Sequence, residues 1–272
     1  MDKNIGIIGY GSMGKMLLDK FSQAKVVDSQ ALFIANRTVS KIEEASDRYT
    51  ICKNNIELTG KSDIIFICLR PSDIKPVLEE IVPYLKEDSL LVSLNGSVSF
   101  ANLEKISKRK YAKVIPSVTA EINQSQTLIS YNDLITEEDK NTLKVLLTTI
   151  GNVIELPENE LGMGSELVSC MPGFIASMFD VVCQSAKKHT SIPDNQIKDM
   201  VLNTMCATGQ LMLDNNMSFQ DVVSRVATKG GITEVGSQVI YDGFPKTADE
   251  MFEKTLEKRK QTAENATKAF NE

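Results

Sequence analysis

The chain has 272 residues, 42% of them hydrophobic and 24% charged, which is material for two domains of ordinary size and excludes a disordered or low-complexity protein. A net charge of −6 excludes a general polyanion-binding surface, so neither nucleic acid nor an anionic membrane is an expected partner. Five scattered cysteines without a C-x-x-C pair exclude a disulfide framework and a zinc knuckle and read as buried free thiols, and with His189 as the single histidine no metal site is expected.

The chain runs at once into a strand-like stretch without a leader-like segment, and no apolar run is read as approaching membrane-spanning length; a cytoplasmic protein is expected. From residue 1 to 156, short β-rich runs alternate with helical stretches, the pattern of a parallel sheet wrapped by helices. Strands are predicted over 4–8, 32–35, 64–68, 90–94, 113–115, 127–129 and 153–156. The runs Ile64-Ile65-Phe66-Ile67-Cys68-Leu69 and Leu90-Leu91-Val92 are continuously apolar, as central strands covered on both faces must be. The fold class is therefore α/β, with an N-terminal Rossmann-type doubly wound sheet.

Within the first βαβ unit, Gly9-Tyr10-Gly11-Ser12-Met13-Gly14 follows the first strand and opens a helix predicted over 15–22. This is G-x-G-x-x-G in its required strand-to-helix context. Gly9 permits the tight turn, Gly11 lets a pyrophosphate approach the backbone, Gly14 allows close helix–strand packing, and the helix N-terminus supplies donors and positive dipole. The second strand ends in Asn36-Arg37-Thr38, where an NAD-specific site places an acid against the ribose hydroxyls. These donors and the guanidinium suit a 2′-phosphate instead, so NADP is the expected cofactor, with NAD as the second choice.

After Pro157 strand-like runs nearly vanish and apolar residues recur at three- and four-residue spacing, predicting an all-α domain over 157–272. Eight of the eleven methionines lie in this half, on faces more extensive than one small bundle can bury, which predicts self-association. His189 sits where a helix ends, a position a cation suits without any catalytic role. Residues 247–272 read as a docked amphipathic helix. Near the middle of the half, Gly230-Gly231 precedes Ile232-Thr233; paired glycines opening a helix make an anion site, and the alternative is a glycine cap between two helices.

With these segments in view, the sequence resembles the pyrroline-5-carboxylate reductase family over nearly its whole length. Asn55 stands where that family has an asparagine facing the cofactor ribose. Leu69-Arg70-Pro71 is similar to its Lys-Pro segment beside the nicotinamide half, residues 91–96 with Asn95 to its next strand and turn, and Val114-Ile115-Pro116-Ser117 to its Met-Pro-Asn segment. Thr228-Lys229-Gly230-Gly231-Ile232-Thr233 resembles its Ser-Pro-Gly-Gly-x-Thr, the most specific match. The resemblance implies that amides following Gly230 and Gly231 hold a substrate carboxylate, that Thr233 hydrogen-bonds the ring nitrogen, and that Ile232 and Cys170 border the substrate. It further implies a homodimer or higher homo-oligomer built on the C-terminal half.

Departures accompany the matches. Where the family has Gly-Ser-Gly-Pro-Ala this chain has Ser169-Cys170-Met171-Pro172-Gly173, and Lys229, Ser117 and Arg70 replace a proline, an asparagine and a lysine. In these details the sequence is most similar to the late-competence (ComER-like) branch. The implied activity is NAD(P)H-dependent reduction of the cyclic imine 1-pyrroline-5-carboxylate to L-proline, a step of amino-acid biosynthesis. Two alternatives stand beside it: a non-catalytic dinucleotide-binding regulatory protein of the same fold, and a β-hydroxyacid dehydrogenase. The Gly-x-x-x-Lys-x-x-Asn pattern of the last does not follow Gly173.

Overall fold

The computed structural model describes residues 2–42 and 48–272 and divides into two compact units, Met1–Pro172 with Leu256–Glu272, and Gly173–Thr255. The first unit runs past 156/157 because residues 161–170 pack against the strand 125–131, and it takes in 256–272 because Ala266 and Phe270 join one of its apolar cores.

The first unit is built on a sheet of β1 (Ile5–Ile8), β2 (Leu32–Ala35), β3 (Thr50–Ile51), β4 (Ile64–Ile67), β5 (Leu90–Ser93), β6 (Lys110–Ile115), β7 (Ser125–Tyr131) and β8 (Gly151–Glu155). Their spatial order is 3-2-1-4-5-6-7-8, and every pairing is parallel except β6 with β7. The order reverses at β1, which is the switch point of a doubly wound sheet. Because side chains alternate across a strand, the continuous apolar runs feed two cores. Ile5, Ile7, Ile34, Phe66 and Val92 join one cluster, and Ile8, Phe33, Ile65, Ile67 and Leu91 the other.

Helices cover both faces. On the first, α1 (Ser12–Gln23) buries Leu17, Leu18 and Phe21, and α5 (Glu137–Leu147) buries Leu143, Leu146 and Leu147. On the second lie α2 (Asn55–Lys61), α3 (Pro71–Ile81) and α4 (Phe100–Ile106), joined by Ala266 and Phe270. Strands β6 and β7 are longer than expected because pairing with β5 extends the start of β6, pairing with β8 the start of β7, and their mutual antiparallel ladder the end of β7. The two-residue β3, absent from the predicted set, is an edge strand paired only to β2.

From β8 the chain enters α6 (Leu161–Ser165), a π-helical turn (Glu166–Cys170) and α7 (Met171–Ala186), followed by α8 (Asp194–Asp214), α9 (Phe219–Val226) and α10 (Ile232–Asn271). The expected tail helix is the far part of this 40-residue α10. His189 follows α7, its amide donating to the Ala186 carbonyl at 2.9 Å.

In the second unit Ile197 alone is fully buried among the described residues, while Val181, Leu202, Leu213, Val239 and Ile240 are exposed. The expectation that all five thiols are buried is corrected: Cys52 is buried, Cys68, Cys170 and Cys183 only in part, and Cys206 is exposed. A second correction concerns apolar length. The helical run Glu158–Ala186 spans 29 residues with a mean hydropathy of 1.5 in its most apolar stretch, enough by length and composition to cross a membrane. Gly162, Gly164, Ser165, Glu166, Ser169 and Asp180 interrupt its apolar residues, which hides the run from a search for an unbroken apolar block.

Candidate functional site

In the first unit the glycine turn sits at the C-terminal edge of the sheet. Gly9 has φ +101°, a conformation L side chains rarely adopt, and a Cβ there would lie 2.6 Å from the Cys68 carbonyl oxygen. A Cβ at Gly14 would collide with the Gly9 carbonyl, so α1 can start this close to β1 only with glycine there. At Gly11 a Cβ would point into open space. Gly11 is also the N-cap of α1, and neither a side-chain cap nor an acidic residue occupies the first turn, where Ser12 and Met13 lie. The first amides of α1 are therefore left for an outside anion.

A groove of about 610 Å³ opens in front of this turn. Gly9, Tyr10, Gly11, Asn36, Arg37, Thr38, Asn55, Leu69 and Arg70 all line it, bringing together residues spread over sixty positions of sequence. Pro71 adjoins it as the first residue of α3. Asn55 donates to Glu80 at 2.8 Å from within the lining.

Asn36 is engaged at both ends of its side-chain amide. Its Oδ1 accepts from the Tyr10 amide at 3.0 Å and its Nδ2 donates to the Thr38 carbonyl at 2.8 Å, so it shapes the recognition turn. Arg37 is exposed and forms no ion pair among the described residues. Lys41 and Lys53 also line the groove and were not singled out from sequence, since isolated loop lysines carry no pattern.

Asn95 lies outside this lining, in the loop after β5, where its Oδ1 accepts from the Ser97 amide at 2.8 Å and the Val98 amide at 3.2 Å. The same loop is held from β6 by Lys113, whose Nζ donates to the Gly96 carbonyl at 3.2 Å and to Glu158 Oε1 at 3.0 Å.

Cys170 ends the π-helical turn, also in the first unit. Arg259 Nη2 reaches its Sγ at 3.8 Å, Ser165 Oγ at 3.1 Å and Glu166 Oε1 at 2.7 Å, while Arg259 Nε donates to the same Oε1 at 3.0 Å. Burial first, and the neighbouring Glu166 carboxylate second, push the Cys170 thiol above its ordinary range, so it is a poor nucleophile at neutral pH.

In the second unit, Gly230 has φ +72° and precedes α10. A Cβ on Gly231 would lie 2.8 Å from the Thr228 carbonyl oxygen, so this position too demands glycine. The Gly231 amide is already used, donating to the Thr228 carbonyl at 2.8 Å, and the Gly230 amide donates to Glu234 Oε2 at 2.6 Å. The amides of Ile232 and Thr233 open α10, where a helix has no carbonyl of its own to bond them. Ile232 is 94% exposed and Thr233 is exposed beside it.

Residues 4–96 match the family described as NADP oxidoreductase coenzyme F420-dependent, and residues 158–262 match pyrroline-5-carboxylate reductase dimerisation. Pyrroline-5-carboxylate reductase 3 of Bacillus subtilis is 32% identical over 259 residues, covering 94% of this chain and 95% of that protein. ComE operon protein 4 of the same organism is 27% identical, covering 98% and 99%. Among solved structures, a pyrroline-5-carboxylate reductase from Coxiella burnetii shares the fold with a TM-score of 0.85 at 21% identity, covering 98% of this chain and 99% of that one. Plasmodium falciparum pyrroline carboxylate reductase with NADP bound gives 0.84 at 22%, covering 96% and 98%.

Proposed function

Because the chain belongs to the pyrroline-5-carboxylate reductase family of oxidoreductases, we propose that it reduces the C=N bond of 1-pyrroline-5-carboxylate to give L-proline, with NADPH as the preferred reductant and NADH as the weaker one. The observation that carries this reading is the turn ending at Thr233, which sets a hydroxyl and the first-turn amides of α10 beside Gly230, in a left-handed conformation that favours glycine, and Gly231, where a Cβ would meet the Thr228 carbonyl. Reduced nicotinamide, when bound, supplies the hydride. The glycine turn and the α1 N-terminus hold the pyrophosphate, and Arg37, Thr38 and Lys41 receive the 2′-phosphate. The amides of Ile232 and Thr233 take the substrate carboxylate.

A cyclic imine that binds protonated already carries the charge a hydride needs, so the residues have chiefly to position it. Thr233 orients the ring nitrogen through its hydroxyl, so the reaction does not call on a histidine or a carboxylic acid as proton donor. Replacing Thr233 by Ala is expected to lower kcat by about 100-fold while leaving the NADPH dissociation constant within a factor of two; equal turnover in the two proteins removes Thr233 from the reaction.

A second reading rests on two observations, the Glu234 carboxylate on the Gly230 amide and the departures at 169–173. Under it the protein binds dinucleotide without turnover. Purified protein incubated with NADPH and pyrroline-5-carboxylate separates the two, since binding without oxidation of NADPH supports only the second.

We also propose a cytoplasmic homo-oligomer. The dimerisation match spans both the exposed apolar faces of the second unit and the whole apolar run Glu158–Ala186, which makes a second copy of the chain a better cover for them than lipid.

A further inference from the structure

The sheet order assigns the two halves of a bound dinucleotide to opposite sides of β1. The groove lining at Ala35, Asn36, Arg37 and Thr38 belongs to the end of β2, the side that takes the adenosine half. The other half must extend over the ends of β4 and β5, so the loop after β5 is its floor. That loop has little side-chain bulk of its own, running Leu94-Asn95-Gly96-Ser97-Val98-Ser99.

What holds the loop is a buried charge. Lys113 lies on β6 opposite Ser93 of β5, with its side chain only 3% exposed, between Ala112 and Val114, which serve the apolar core. Its Nζ donates to the Gly96 carbonyl and to Glu158 Oε1, and that same oxygen accepts from the Phe100 amide at 2.8 Å. The middle of the loop and the residue that follows it are thus tied to one ion pair, and the ammonium also lies 5.7 Å from the Phe100 ring centroid. Gly96 is closed from outside by Ile115 and by Arg259 Nη1, which a Cβ at that glycine would meet at 3.3 Å and 3.6 Å. Burial lowers the Lys113 pKa against the pull of Glu158, a cost that packing of the sheet does not require and an apolar residue would avoid.

Building on the reading of the first unit as a dinucleotide-binding domain, we propose that Lys113 is a positioning residue for the nicotinamide half of the cofactor, acting through the Gly96 carbonyl and, by way of Glu158, the Phe100 amide. The adenosine half contacts none of this network. Damage to the network therefore separates the two halves of the ligand, whereas general loosening of the fold weakens both.

The test titrates the full-length protein with NADPH and with 2′,5′-ADP, which carries the adenosine half alone, comparing wild type with Lys113→Met, Lys113→Arg and Glu158→Gln. Lys113→Met is expected to bind 2′,5′-ADP within about twofold of wild type and NADPH about tenfold more weakly, the scale of a lost charged hydrogen bond. Lys113→Arg is expected to recover most of the NADPH affinity. Glu158→Gln keeps the volume and an acceptor for Phe100, and covers the case in which Lys113→Met fails to fold; it should show the same selectivity with a smaller loss. Equal weakening of both ligands, or no weakening of NADPH in any variant, overturns the proposal. A wild type that binds neither ligand overturns the dinucleotide reading itself, a result distinct from wild-type binding that Lys113 does not influence.

Discussion

The side-chain carbonyl of Asn36 accepts the backbone N–H of Tyr10 at 3.0 Å, which ties the end of β2 to the glycine turn after β1. Through its other end, donating to Thr38 at 2.8 Å, Asn36 also folds the turn that carries Arg37. One neutral amide thus sets the shape of two recognition segments, and it needs both a donor and an acceptor to do so.

Cofactor choice should therefore change with Asn36→Asp. The carboxylate keeps an acceptor for Tyr10, loses the donor for Thr38, and places negative charge where a 2′-phosphate is proposed to lie. The expected result is a fall in NADPH affinity of about 10- to 100-fold with NADH affinity unchanged or improved, whereas Arg37→Ala should cost about tenfold for NADPH alone. Titration of each variant with both cofactors decides it, and an unaltered NADPH-to-NADH ratio would show that this turn does not read the phosphate.

A pH effect follows from Asp19 on α1. Its carboxylate receives Lys15 Nζ at 2.6 Å, the Tyr49 hydroxyl at 2.7 Å and Arg48 Nη1 at 2.9 Å. Burial pushes its pKa up, but the hydrogen bonds from Lys15 and Tyr49 and the charges of Lys15 and Arg48 outweigh burial and hold it below the ordinary carboxylate value. A carboxylate with a depressed folded-state pKa contributes stability that is present above its unfolded value, about 4, and is lost as pH falls through the folded value. Asp19→Asn should lower the urea midpoint by a constant amount from pH 8 to about pH 5, and the gap should narrow below that. A gap that widens on acidification would reverse the assignment.

The features legible in the sequence are those with a local signature. The strand runs, the glycine turn and the change of period after Pro157 each follow from neighbours within about ten residues, and the doubly wound sheet follows from their alternation. What stayed hidden depends on contacts made across the chain. Arg259 meets Glu166 from 93 positions away, and Glu166 and Arg259 look in sequence like any other surface charges. The start of β6 is set by its pairing with β5, and Pro245 inside α10 reads as a break although the helix passes through it. The period of the last helix shows an apolar face, but only the fold shows that Ala266 and Phe270 join the apolar cluster to which α2, α3 and α4 contribute.

Glu234 supplies the last prediction. Its carboxylate sits on the Gly230 amide at 2.6 Å, in the first turn of α10, beside the amides proposed to hold the substrate carboxylate. Two anions drawn to one helix N-terminus compete, so Glu234 should raise the KM for an anionic imine while leaving the hydride step untouched. In the reductase reading, Glu234→Ala is expected to lower the KM for pyrroline-5-carboxylate by about fivefold with kcat within a factor of two, the scale of an exposed charge interaction. Glu234→Gln should fall between the two, because the neutral amide still accepts from Gly230 but no longer repels. Reduction of 1-pyrroline, which has no carboxylate, is the control: its KM should not move. If the KM for both imines changes alike, Glu234 shapes the turn instead of competing for it, and a KM that rises in Glu234→Ala would mean that the carboxylate holds the site open.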